Sequence, residues 1–352
     1  GGPYSCLPKY GATNLMSDNK ISKSRRATPW DAFPDRSPAQ TFIRTATITH
    51  YEQRHQSLKD SGEVEFLNSI SATCCPYCGS VEFIRYGHNK NGLQKYRCRS
   101  CNCLFTILTG TIFDGHKIPV TEWIEYWRNL FEYLSLTADS WNNKNAYNTS
   151  KYWFKKTCLL VKNYQDEILL KNTIWYDETF KSNINSKIKL KSNGQKYRGH
   201  SKNQICIGVA IDSSGHCYIA FLGKGSPSSK SVYDAFKDHI EEGSTILTDS
   251  DHAHRMLVNK LNLVNREYNA KICKNMNDVD NPLTPINNVH SKLQKFLRAH
   301  DGFSREDLED YLNLFAFMIN TPDNKLSKID ILLNRVLSYP NHLSYRQLFR
   351  KE

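Results

Sequence analysis

Apolar and polar positions alternate in two distinct textures along this chain of 352 residues. Between Val120 and Leu136, the residues Trp123, Ile124, Trp127, Leu130, Phe131 and Leu134 recur at helical spacing and predict a helix with a broad buried face. A short helix is expected to start in Thr137-Ala-Asp-Ser-Trp-Asn-Asn143. A turn around Ala146-Tyr-Asn148 then leads to a helix over Thr149–Lys156, with Thr149 or Ser150 as its cap. From residue 173 the apolar runs shorten. Thr173–Phe180, Gln204–Ile211 and His216–Leu222 predict strands, the last two joined by a turn at Asp212-Ser-Ser-Gly215. Ser228–Ile240 predicts a helix, Thr245–Asp249 a strand and His252–Leu261 a helix, with two more helices over Asn287–Leu297 and Asp307–Met318. That order is the order of a mixed sheet flanked by helices.

The region before Val120 has a different character. Residues 1–40 combine Lys20, Lys23, Arg25 and Arg26 with Pro29, Pro34 and Pro38, and predict an irregular arm, with a helix following over Tyr51–Ile70. Cys75-Pro-Tyr-Cys78 and Cys98-Arg-Ser-Cys101 then form a C-x2-C-x19-C-x2-C pattern. Each pair suits a tight knuckle aiming two thiolates at one tetrahedral zinc ion. A hairpin of Val81–Tyr86 and Gln94–Arg97, turning at Asn89-Lys-Asn-Gly92, fills the interval. With four cysteine ligands the metal has no open position, so its role is structural. Cys74 and Cys103 flank the pairs and are read as bystanders.

Charge narrows the partners. The formal net charge is +12, which favours polyanions through attraction and counterion release. Lys90, Lys95, Arg97 and Arg99 make the ribbon basic, and the two helices after Leu136 read as a helix-turn-helix presenting Lys151, Lys155 and Lys156 to DNA. Two solvated packing helices are the plainer reading of the same segment. A further basic stretch runs from Lys187 to Lys202. No run approaches the roughly 20 apolar residues of a membrane span. No secretory leader pattern opens the chain, and cysteines in CxxC pairs suit a reducing compartment. Gly223-Lys-Gly-Ser-Pro-Ser-Ser-Lys230 lacks P-loop spacing, so nucleotide hydrolysis is not expected.

Asp177 and Asp249 each end an apolar strand run, where a carboxylate must meet solvent, cap a turn or bind a cation. Tyr176-Asp-Glu-Thr-Phe180, Leu247-Thr-Asp249 and Asn287-Asn-Val-His-Ser-Lys-Leu-Gln-Lys-Phe-Leu297 resemble, in this order, the three catalytic blocks of zinc-ribbon insertion-sequence transposases related to the Merlin group. Gly302-Phe-Ser, Leu308 and Tyr311-Leu312 resemble the segment that follows. The resemblance implies an RNase H-like catalytic domain whose third acidic position is Asn in some branches. Asp177 and Asp249 would bind two magnesium or manganese ions, Asn287 would complete the metal site and His290 would stand by as a catalytic group. Asn288 is the competing register for Asn287, and a helix cap is the plainer role for it. Glu178 is expected on the opposite strand face. Where the family has a basic residue, this chain has Gln294, leaving Lys295 or Arg298 to contact DNA.

The implied partners are double-stranded DNA, as transposon inverted-repeat ends and target, and at least a second copy of the chain. The implied compartment is the bacterial cytoplasm or the eukaryotic nucleus. The expected division is a basic, partly disordered arm (1–63), a zinc ribbon (64–112), a helix-turn-helix region (113–170), an α/β catalytic domain (171–320) and a helical tail (321–352). An inert DNA-binding regulator and a simple metal-dependent nuclease are the alternatives.

Overall fold

The computed structural model describes residues 36–59, 62–115, 119–143, 145–181, 204–249, 252–300 and 305–338, the backbone alone at 50–59, 270 and 305. The basic residues Lys20–Arg26 and Lys187–Lys202 lie outside these ranges. No helix among the described residues is long and apolar enough to cross a membrane.

Two helices precede the cysteines, α1 (Pro38–Lys59) and α2 (Glu63–Ser69). The helix expected over Tyr51–Ile70 is therefore broken, and α1 begins earlier than expected, at Pro38. Gly62 sits at the break with φ of 80°, a left-handed conformation that favours glycine. Next comes a three-stranded antiparallel sheet of β1 (Phe83–His88), β2 (Gln94–Cys98) and β3 (Leu104–Phe105). Its hairpin turn is closed by the Asn89 side chain, which accepts from the N–H groups of Asn91 and Leu93 at 2.9 and 3.0 Å. Phe83, Tyr96 and Phe105 pack with ring centroids 5.4 Å apart, a small core of its own for the ribbon.

Three helices follow: α3 (Val120–Phe131), α4 (Leu136–Asn142) and α5 (Tyr147–Leu160). Tyr133 at φ 59° stops α3 before Leu136, and Ser135 caps α4 by accepting from the Ala138 N–H. Neither Thr149 nor Ser150 caps α5, which begins after Ala146. The Ser150 hydroxyl instead donates to Asp139 at 2.6 Å, joining α5 to α4. Trp123 of α3 stacks on Trp153 of α5 at 4.2 Å and 9°, and Phe113 from the ribbon's end packs edge-on to Trp123.

The second sheet holds β4 (Thr173–Lys181), β5 (Ile205–Asp212), β6 (Cys217–Lys224), β7 (Thr245–Asp249) and β8 (Val264–Tyr268), in the spatial order β6-β5-β4-β7-β8. The first three form an antiparallel meander; β7 runs parallel to β4 and β8 parallel to β7. One face packs on α6 (Ser229–Phe236) and α7 (Arg255–Lys260) through Tyr176, Ala210, Val232, Phe236 and Leu257. Gly208 of β5 is needed there, since a Cβ would stand 2.8 Å from the Phe236 ring. After α8 (Ala270–Cys273), the other face meets α9 (Thr284–Ala299) and α10 (Leu308–Ile319). The last helix, α11 (Lys325–Ser338), packs on α3 and α5.

One continuous core joins Leu67, Ile112, Trp127 and Phe154 to Val209, Leu293, Phe315 and Leu332, so ribbon, helices and sheet bury apolar surface against each other. The exposed edge of β6 is closed by two side-chain amides. Gln165 pairs with both backbone groups of Ile219, and Asn320 with both of Cys217. An edge covered in this way offers less to a stray strand.

Candidate functional site

The four cysteines Cys75, Cys78, Cys98 and Cys101 bring their sulfurs within 4.8 Å of one another, the one such group of three or more potential ligands among the described residues. The Cys75–Cys101 and Cys78–Cys98 separations are 3.7 and 3.6 Å. Four Zn–S bonds of about 2.3 Å at tetrahedral angles put sulfurs roughly 3.8 Å apart, so the set fits one zinc ion. Backbone geometry builds both knuckles. The Gly79 N–H donates to the Cys75 carbonyl and the Asn102 N–H to the Cys98 carbonyl, with Gly79 at φ 73° and Asn102 at φ 60°. The backbone N–H groups of Cys101 and Ser100 favour the thiolate of Cys98 and lower its pKa to about 6, against the opposing effect of burial. Cys74 and Cys103 stand outside the group.

A second site lies at the end of the large sheet. Strand β4 faces β7 with Thr173 opposite Thr245, Ile174 opposite Ile246 and Trp175 opposite Leu247. The ladder stops there, and Asp177 and Asp249 continue the two strands two residues beyond it. Residues matched across parallel neighbours point to the same face, on strands about 4.8 Å apart. Both aspartates line one cleft of about 390 Å³, with Thr179, Phe180, Gln204 and Ser226 around them. Glu178 also borders it, but its carboxylate accepts a 2.8 Å hydrogen bond from Tyr176, its neighbour on the alternate strand face. Burial, then the Glu178 charge, push the Tyr176 phenol well above its ordinary range, so it stays a donor.

Helix α9 crosses the sheet beside this cleft. His290 points its Nδ1 at Asp177 Oδ2 across 3.6 Å, and its Nε2 is buried with no hydrogen-bond partner. Burial lowers the His290 pKa to about 4, leaving the ring neutral at ordinary pH. Asn287 is exposed one turn earlier and is not among the residues lining the cleft. Its N–H already bonds the Leu283 carbonyl inside the helix, so a helix cap is not its role. Asn288 is exposed as well. Gln294 donates to Thr179 Oγ1 at 2.9 Å, while Lys295 and Arg298 are exposed further along. Lys181 donates to the Leu297 carbonyl, fixing the other end of α9 to β4. Neither this tie nor the Gln294 contact is signalled by the sequence, because both join segments more than a hundred residues apart.

On α5 the three lysines part ways. Lys151 is exposed. Lys155 is half-buried and pairs with Asp307 at 3.7 Å. Lys156 corrects the expectation that it faces DNA: it is buried, its ammonium donates to the Ile112 carbonyl, and it lies 4.5 Å over the Tyr152 ring. Position 156 falls one turn after Trp153 on the helix face that packs inward. Burial lowers its pKa to about 8. On the ribbon, Lys90, Arg97 and Arg99 are exposed, and Arg97 lies 5.6 Å over the exposed Tyr86 ring.

No family model and no curated protein matches the chain. Among solved structures it is similar to the Mos1 strand transfer complex at 12% identity and a TM-score of 0.25, over 60% of this chain and 78% of that one. A Mos1 transposase paired-end complex with left transposon end is similar at 14% identity and a TM-score of 0.26, over 62% and 75%.

Proposed function

We propose that this chain is a DNA transposase that binds transposon ends through its ribbon and the α4–α5 helix pair, then cleaves and joins DNA at the Asp177–Asp249 cleft. The observation that carries the reading is that two aspartates, one on each of two adjacent parallel strands, line one cleft. The donor set suits hard divalent cations, which take carboxylate oxygens. Two such ions, when bound, would supply activation of the attacking oxygen and neutralisation of the leaving one.

The protein's own part is positioning. Asp177 and Asp249 would hold the ions, and Asn287 is the third position selected by the resemblance to the Merlin-related enzymes. The Glu178 N–H donates to Asp177 Oδ1 at 2.8 Å and fixes one carboxylate oxygen. The four-cysteine ribbon would hold a structural zinc and keep its basic surface folded. Exposed Lys151, Lys295 and Arg298, with the ribbon's Lys90, Arg97 and Arg99, would lie on phosphates, supported by the net charge of +12. Double-stranded DNA is the partner. Pairing two ends requires at least two copies of the chain.

The test uses duplexes carrying the inverted repeats that flank the coding sequence. Asp177→Ala and Asp249→Ala should each abolish magnesium- or manganese-dependent cleavage and strand transfer while DNA binding survives. Full activity in Asp249→Ala would overturn the assignment. Cleavage without joining by the wild-type chain would favour a nuclease instead.

A further inference from the structure

We infer that the outer face of the ribbon's three-stranded sheet holds single-stranded DNA, with an unpaired base stacked on Tyr86. The inference rests on the proposed DNA-binding role of the ribbon and names the form of DNA that this face takes.

Strand alternation sorts the ribbon's side chains between two faces. Phe83, Tyr96 and Phe105 turn inward and make its aromatic core. The other face carries one row across all three strands, Ile84 opposite Arg97 and Arg97 opposite Leu104. Tyr86 stands beside that row, its ring centroid 5.6 Å from the Arg97 guanidinium and 5.8 Å from the Lys95 ammonium. Ile84, Tyr86 and Leu104 are 40%, 45% and 48% exposed, so this face contributes little to the ribbon's own core. Contiguous apolar surface left in water marks a place where something binds.

Charge selects the partner. Residues 83–113 contain Arg85, Lys90, Lys95, Arg97 and Arg99 and no aspartate or glutamate. The nearest acid, Glu82, precedes β1. A polyanion suits such a surface, and one that carries flat apolar groups suits it better than phosphates alone. Shape then selects the form. The major groove of a duplex admits a helix or a two-stranded ribbon. This face is three strands wide, about 10 Å between its outer strands before side chains are added. In a duplex the flat faces of the bases are also covered by their stacked neighbours. An unpaired strand offers them, and aromatic rings beside cations are how sequence-tolerant single-strand sites are built. Opening and cutting a duplex exposes such a strand, which the ribbon would hold while α4 and α5 keep the paired part.

The experiment measures anisotropy of three fluorescent DNAs with the zinc-loaded full chain. They are an oligothymidylate of about 12 nucleotides, within the usual span of such a site, the same backbone without bases, and a duplex closed by hairpins at both ends. Tyr86→Ala and Tyr86→Leu should weaken oligothymidylate binding on the order of tenfold, whereas Tyr86→Phe, which keeps the ring, should bind as the wild type does. None of the three should change binding to the abasic strand or to the closed duplex, which offer no free base. Arg97→Gln should make the salt slope of single-strand binding shallower by about 0.7, the value for one phosphate. Zinc content of the Tyr86 variants separates loss of the ring from loss of the fold. Undiminished oligothymidylate binding in both Tyr86→Ala and Tyr86→Leu would overturn the inference and leave the ribbon's DNA role standing, as would an equal loss on the abasic strand or the closed duplex. Tighter binding of oligouridylate than of oligothymidylate would assign the face to RNA and overturn it too. Binding to all three DNAs that is indifferent to Arg97→Gln and to loss of the zinc would overturn the ribbon's DNA role itself, and the inference with it.

Discussion

Gln294 Nε2 donates to Thr179 Oγ1 at 2.9 Å, so this glutamine is engaged with the sheet. The contact joins α9 to β4 two residues beyond Asp177 and sets the height of the helix over the cleft. Removing it should cost about 1 kcal/mol, the usual net worth of a half-buried hydrogen bond. Gln294→Ala should therefore lower the melting temperature slightly, and cleavage should fall by more than the stability loss alone explains. The salt dependence of DNA binding should not change, because Gln294 carries no charge. A shallower salt slope in Gln294→Ala would show that this residue contacts the backbone after all.

The ribbon should depend on its metal. Its aromatic core is three rings, too small to hold two knuckles and three short strands without help. Cys78→Ser or Cys98→Ser should lose one zinc per chain by elemental analysis and weaken DNA binding, with the larger α/β sheet still folded by circular dichroism. Protein purified without chelator that contains no zinc would refute the assignment.

Where local pattern and tertiary packing agree, the sequence is readable. The cysteine spacing announces the knuckles, and the apolar runs of β4, β5 and β7 announce buried strands, since β5 is covered on both faces. β8 escapes a reading by pattern because Val264-Asn-Arg-Glu-Tyr268 is an exposed edge strand with no apolar alternation. Helix α9 starts at Thr284, three residues before the expected Asn287, because the proline in its first turn is itself a helix-starting signal. Asp249 is legible as a strand end and Asp177 as the close of an apolar run inside β4, but that both line one cleft is a property of the sheet. His290 against Asp177 and Gln294 on Thr179 depend on how a distant helix crosses that sheet, and no window of sequence contains both partners. Lys156 misleads for a related reason: a lysine on an amphipathic helix reads as solvated unless the carbonyl it caps, here Ile112, is known.

The lysines of α5 should consequently behave differently from one another. Lys151→Ala should weaken DNA binding and reduce the salt slope by about one, as expected for one lost phosphate contact. Lys156→Ala should leave the slope unchanged and lower stability instead, because it strips a buried carbonyl of its donor and leaves a cavity beside Tyr152. Salt titrations of binding, with melting curves, distinguish the two. A reduced slope in Lys156→Ala would restore it to the DNA surface.

His300 offers a pH-dependent test of the junction between α5 and α9. Its ring lies 4.8 Å from those of Phe154 and Phe296, and both its nitrogens are buried without partners. Burial lowers its pKa to about 4 from the ordinary 6.5. Between those values the unfolded chain binds a proton that the folded chain refuses, so the stability His300 permits is full above 6.5 and is lost as pH falls toward 4. Phenylalanine fills the same aromatic site and takes up no proton. At pH 5, about 1.5 units below the unfolded pKa, His300→Phe should gain about 2 kcal/mol on the wild type beyond any difference seen at pH 8. Asp139 and His290 titrate nearby, Asp139 in the opposite sense, but both are present in each protein and cancel from the comparison. Urea unfolding of the two proteins at pH 5 and pH 8 measures the difference directly. An equal gap at both pH values would mean that the imidazole is solvated in the folded chain and that the aromatic junction is open to water.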